Sequence, residues 1–116
     1  MNENKKSGIN REVLKKRKQE WLEKLKKTQK LISPTEDHKR GLRALQNVQR
    51  REILKFIGYD VKNFEDIKNK LKLDDSQIQF HLSMLEQALF IEKLNDTWRA
   101  TPRGIGYLEN VEWRQF

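Results

Sequence analysis

The side chains best suited to recognition chemistry in this chain are the amides and the one aromatic ring of residues 76–89. Gln77, Gln79 and Gln87 carry amides that can pair with adenine edges, and Phe80 can meet a thymine methyl group. Ser76 and Ser83 add hydroxyls to the same segment. A second set is cationic. Lys15, Lys16, Arg17, Lys18, Lys24, Lys26 and Lys27 crowd one stretch, and Lys93 and Arg99 lie further on. Such cations bind phosphate oxygens without reading sequence. Covalent and metal chemistry has little to work with. The absence of Cys excludes disulfides, thiol catalysis and Cys-based metal sites. His38 and His81 are 43 positions apart and form no local metal motif. There is no Gly-rich phosphate loop and no nucleophile elbow. The carboxylate pairs Glu65/Asp66 and Asp74/Asp75 fall at expected helix starts, where capping accounts for them. The expectation is a non-enzymatic protein with no metal and no cofactor.

Composition narrows the reading. The 116 residues suffice for one domain with an extension. Charged residues make up 36%, against about 25% in ordinary chains, so only a small core can form. The net charge of +8 is uneven. Residues 1–30 hold 11 Lys/Arg against 4 Asp/Glu, whereas residues 31–116 hold 14 against 13. A basic segment suits a polyanion such as nucleic acid; the plainer alternative is a solvated helix face or a solubilising tail. No run of 18 apolar residues exists to span a membrane, and Met1 to Asn10 has no apolar stretch of the secretory kind. The expected compartment is the cytoplasm.

The recognition residues need elements to hold them. Residues 1–9 are polar and expected to fray. Asn10 can cap a helix from Arg11 to about Leu31, followed by Ile32. Leu14, Trp21 and Leu25 form its apolar stripe, too narrow for a helix standing alone in water. The stripe must pack on the domain or on another copy of itself. Ser33-Pro34-Thr35-Glu36 has the spacing of a capping box with Pro at the first helical position. It divides a basic helical extension, 1–32, from a domain, 33–116. A helix then runs to about Gln46, and Asn47 caps another over Val48 to Ile57, closed by Gly58; one continuous helix over 34–57 is the alternative. Asn63 opens a helix with Phe64, Ile67 and Leu71 on one face. After Leu73-Asp74-Asp75 comes a helix from Ser76 to Leu89, with Ile78, Leu82, Leu85 and Leu89 as its core stripe. That leaves Ser76, Gln77, Phe80, Ser83 and Gln87 outward, with Gln79 and Met84 on the flanks. His81 lies beside the stripe, where a structural role is favoured over a contact with DNA. Two short helices joined by a tight turn match the helix-turn-helix pattern. Residues 91–94 and 97–100 alternate as a hairpin around Asn95-Asp96, with Trp98 expected on its core side. Thr101-Pro102 starts a last helix with Ile105, Leu108 and Val111 facing inward.

These stretches resemble the ArsR-like winged helix-turn-helix transcriptional regulators, particularly those of archaea. The resemblance runs through "ALQNVQRREILKFI" (44–57), "FEDIKNKLKLDDSQIQFHLSMLEQALFIEKL" (64–94) and "ATPRGIGYLENV" (100–111). Its most specific pieces are "HLSML" and the Thr101-Pro102-Arg103-Gly104 segment leading to Tyr107-Leu108. It implies a mainly α fold with a small β-hairpin wing, here with an extra N-terminal basic helix. It also implies a homodimer on duplex DNA, with the second helix of the motif in the major groove and the wing beside the minor groove. Three departures stand out. The first helix of the motif lacks the Cys of the metal sensors. Ala88-Leu89-Phe90 replaces the family's Ala-Gly-Leu before the wing. The second helix of the motif has no Lys or Arg.

The expected DNA contacts are therefore Ser76, Gln77, Gln79, Phe80 and Ser83, the wing cations Lys93 and Arg99, and the seven cations of the first helix. Leu14, Trp21 and Leu25 are expected at a dimer interface with the last helix. Two alternatives stand beside this reading. Phe80 and Met84 could meet a protein partner, or the basic helix could be the main contact with RNA or non-specific DNA.

Overall fold

The computed structural model describes the backbone of residues 11–28 and 33–114 and the side chains as far as residue 110. The expectations for residues 1–9, the Asn10 cap, Leu31, Ile32 and Val111 lie outside the described residues. The elements are α1 (Arg11–Thr28), α2 (Pro34–Leu45), α3 (Val48–Ile57), β1 (Val61–Asn63), α4 (Phe64–Leu71), α5 (Asp75–Gln87), β2 (Ile91–Leu94), β3 (Thr97–Ala100) and α6 (Pro102–Arg114). The fold is mainly helical with a small antiparallel sheet, a winged helix-turn-helix preceded by a basic helix.

Local chemistry sets most boundaries. Ser33 Oγ accepts from the Glu36 N–H at 3.1 Å at the start of α2. Asn47 separates α2 from α3, because its Oδ1 accepts from the N–H groups of Gln49 (2.8 Å) and Arg50 (3.1 Å). The carbonyls left open at the end of α2 take guanidinium donors. Arg50 Nε donates to Ala44 O and Arg51 Nη1 to Leu45 O, each at 2.7 Å. Cations there also oppose the negative end of the helix dipole.

The sheet departs from the expected hairpin by one strand. β1 pairs antiparallel with β3, giving the order β1-β3-β2. It has only three residues, and Asn63 is also the cap of α4, so no alternating pattern marks it. Within the hairpin, Ile91 lies opposite Ala100 and Lys93 opposite Trp98. Ile91, Trp98 and Ala100 turn inward, as expected for Trp98, and Asn95 takes the positive φ of the turn (58°).

The core joins Ile53, Leu54 and Ile57 of α3 to Ile67 of α4 and Ile78, Leu82 and Leu85 of α5. Leu89 does not complete that stripe. Helix α5 ends earlier, and Leu89 stands at φ 68°, half-exposed. The Phe90 N–H donates to Leu85 O (3.0 Å) and the Leu89 N–H to Glu86 O (2.9 Å). This is the closure that glycine ordinarily provides, and a side chain in that conformation costs roughly 1–2 kcal/mol. The turn sends Ala88 and Phe90 into the core instead. Thr101 Oγ1 then donates to Leu89 O at 2.6 Å. Gly104 follows because a Cβ there would strike the Phe90 carbonyl. Arg103 Nη1 fixes α6 to α2 through both carboxylate oxygens of Asp37, at 2.9 and 3.0 Å.

Helix α1 docks on the same chain. Leu14 packs against the core, α1 runs beside α6, and Arg17 Nη2 donates to Ala100 O at 2.8 Å. Trp21 and Leu25 on the same side are half-buried.

Candidate nucleic-acid interface

Helix α5 is presented by α2, α3 and α4, all of which pack against it. Helix α4 ends at Lys72, a left-handed cap (φ 58°), and the chain turns directly into α5. Asp74 begins α5 with a full capping box. Its Oδ1 accepts from the Gln77 N–H at 2.8 Å, and Gln77 Oε1 accepts from the Asp74 N–H at 3.2 Å. Lys68 Nζ meets Asp75 at 2.6 Å, and that carboxylate holds the ammonium above its ordinary pKa. The start of α5 is thus fixed by carboxylates.

The opposite side of α5 rests on a buried polar group. Arg50 Nη1 lies 3.2 Å from His81 Nδ1, and His81 Nε2 lies 3.2 Å from Gln49 Oε1. Arginine only donates, so Nδ1 is the acceptor and the proton sits on Nε2, which donates to Gln49. Burial, then the Arg50 charge, holds the imidazole below its ordinary pKa. The Arg50 guanidinium also lies 5.8 Å from the centre of the Phe80 ring. His81 therefore has the structural role favoured for it. Arg50 and Gln49 were missed in the sequence, where Arg50 counted only as one more charge. The signal available was the Asn47 cap, which puts Arg50 on the first turn of α3, beneath the end of α2.

The expected base readers differ in how free they are. Gln77 is exposed, with its carbonyl oxygen engaged in the capping box. Ser76 Oγ donates to Asp74 Oδ1 at 3.2 Å, and Ser83 Oγ accepts from Gln87 Nε2 at 3.1 Å. Gln79 and Phe80 are exposed, Phe80 at 57% despite its aromatic ring.

On the hairpin, Arg99 is paired. Its Nε donates to Glu92 Oε2 at 2.8 Å, so its charge is compensated across the strands. Lys93 stays exposed, its Nζ 5.7 Å from the centre of the Trp98 ring. Between α5 and the hairpin lies a groove of about 510 Å³ with Leu82 and Trp98 on its floor and Gln79, Glu86, Lys93 and Asp96 along its sides.

The α1 residues divide as well. Lys15, Lys16, Lys18, Lys24, Lys26 and Lys27 are exposed. Arg17 differs from these lysines. It turns inward to Ala100, and burial, with Arg99 beside it, lowers its pKa. The stripe expected to meet a second copy is half-covered by its own chain, because α6 and the base of the hairpin lie in reach of α1. Among the described residues there is no group of three or more His, Cys, Asp or Glu able to hold a metal, and no helix is long and apolar enough to cross a membrane.

No family model matches the chain, and no solved structure does. An uncharacterized protein of Archaeoglobus fulgidus is 34% identical over 78 residues, which span 67% of this chain and 90% of the relative. The chain belongs to the same family as this archaeal protein.

Proposed function

We propose that this protein is a non-enzymatic, ArsR-like transcriptional regulator that binds duplex DNA through α5 and the hairpin. The observation that carries the reading is the outward pair Gln79 and Phe80 on a helix locked at both sides, with a wing standing next to it. Gln79 offers an amide to an adenine edge, and Phe80 an apolar ring to a thymine methyl. Helix α5 has no cation of its own, so affinity comes from elsewhere. The exposed lysines of α1 and Lys93 of the wing supply phosphate contacts. Regulation is then steric or recruiting at an operator, with no bond made or broken. The stripe of Leu14, Trp21 and Leu25 is only half-buried against its own chain, which leaves surface for a second copy, so the proposed regulator acts as a homodimer.

The test is selection of bound duplexes from a random pool, followed by titration against the selected and a scrambled duplex. Enrichment of a sequence, abolished on changing Gln79 and Phe80 to Ala, supports the reading. A second reading is favoured by the acidic start of α5, Asp74 and Asp75, and by the exposed Phe80. Carboxylates there repel phosphate, and an exposed ring suits a protein surface. Failure to bind duplex DNA at all would favour this protein-interaction module, whereas binding without preference that depends only on the α1 lysines would favour non-specific nucleic-acid binding through the basic helix.

A further inference from the structure

A second concave site lies away from α5, between α1 and α6, with a volume of about 400 Å³. Its floor is apolar: Leu14, Pro102 and Ile105, with Gly106 beside them. A Cβ built on Gly106 meets no atom within 4 Å, so the glycine leaves open space that the helix does not otherwise use. The rim is cationic. Arg11, Lys15 and Lys18 line it, with Arg17 turned inward behind them, beside Glu12 and Glu109, and Glu109 already accepts from the Tyr59 hydroxyl at 2.8 Å. We propose that this groove binds a small soluble amphipathic anion, a carboxylate head on a hydrocarbon body, with the head on Lys15 and Lys18 and the body over Ile105 and Gly106.

Each half of the groove selects half of the ligand. An apolar floor of this size is typical of small-molecule sites, whose few polar groups fix orientation. Ammonium and guanidinium groups give charge-assisted hydrogen bonds to carboxylate. A DNA backbone matches the rim but offers nothing to the floor. A second copy docking face to face matches the floor but sets one net-positive rim against another, with more cations than the carboxylates Glu12 and Glu109 can offset. An amphipathic anion satisfies both. The inference shares Lys15 and Lys18 with the phosphate contacts proposed for α1, but its apolar floor lies away from α5, and octanoate binding is read without DNA.

The test uses the full chain with octanoate as probe and octanol as its uncharged counterpart, read by displacement of the fluorescent anion anilinonaphthalene sulfonate. Octanoate is expected to displace the dye at least about tenfold better than octanol, the scale of one charge-assisted hydrogen bond. Gly106→Leu fills the floor and also removes a helix-weakening glycine, so it folds and weakens octanoate binding by about tenfold or more. Lys15→Glu with Lys18→Glu reverses the rim and weakens it similarly. Circular dichroism confirms that both variants are folded. Equal binding of octanoate and octanol, or unchanged octanoate binding in either folded variant, would overturn the proposal. So would sedimentation showing a dimer that Gly106→Leu dissociates while octanoate has no effect, because the occupant would then be a second copy.

Discussion

Helices α5 and α1 solve opposite problems. Helix α5 buries Ile78, Leu82 and Leu85 fully, is capped by Asp74 and is braced by Arg50 through His81, yet its outer face carries no positive charge. Helix α1 carries the cations, yet its inner side chains are only half-buried. The helix with the most definite shape lacks the charge, and the helix with the charge has the looser footing. Base reading needs a fixed orientation, whereas phosphate binding tolerates a less rigid support. On the proposed DNA reading the division of labour follows from that difference: α5 would give preference among sequences and α1 affinity.

The strongest challenge to the comparison is to loosen α5 from within. Leu82→Ala, at a site 2% exposed, is expected to cost about 2–5 kcal/mol. Urea unfolding measures this, and an unchanged midpoint would mean that α5 is not anchored through that face. Next in size is the brace. Arg50→Met keeps much of the side-chain stem but leaves Ala44 O and His81 Nδ1 without their donor, costing about 1–3 kcal/mol. Thermal unfolding reads it directly.

The exit from α5 gives a smaller and cleaner contrast. Leu89→Ala and Leu89→Gly both remove the half-buried side chain, but only glycine relieves the left-handed backbone at φ 68°. The Gly variant is expected to be more stable than the Ala variant by about 1 kcal/mol. Equal melting of the two would show that the turn carries no strain. The least effect is expected from acid. The folded protein holds His81 below its ordinary pKa through burial and Arg50, so the unfolded chain binds the proton more readily. The His81 contribution is present in full above about pH 6.5, the unperturbed histidine value, and disappears as pH falls through the lower folded value. His81→Gln should flatten that part of the stability profile measured by chemical unfolding. A profile identical to wild type would remove His81 as its source.

Much of this was legible in the chain because local chemistry announces itself. Ser33 before Pro34, Asn47, Asn63 and Asp74 each mark a helix start through a side chain that accepts from the backbone nearby. The stripe at Ile78, Leu82 and Leu85 shows which side of α5 turns inward. What stayed hidden depends on partners far along the chain. Strand β1 forms because β3 has a free edge, and three residues show no period of their own. Arg17 and Ala100 are 83 positions apart, so nothing near Arg17 shows that it faces inward. The Arg99–Glu92 pair, by contrast, lay within reach of the sequence, because the two-residue turn at Asn95-Asp96 already sets Glu92 opposite Arg99. Leu89 fits the helical period, but the chain leaves the helix before reaching it. For the recognition surface, the sequence identified the residues facing outward but not which of them were already engaged. Gln77 gives its carbonyl oxygen to its own cap, and the Phe80 ring lies against Arg50 while staying largely exposed.

The most direct test of the division between α1 and α5 is a salt series on a selected and a scrambled duplex, with two variants beside the wild type. Lys16, Lys26 and Lys27 changed to Ala should weaken binding to both duplexes alike. The slope of log affinity against log salt should fall by about 0.9 for each phosphate that is no longer neutralised. Gln79 and Phe80 changed to Ala should instead bring the two affinities together while leaving the slope in place. An unchanged slope in the first variant, or an unchanged preference in the second, would contradict the account.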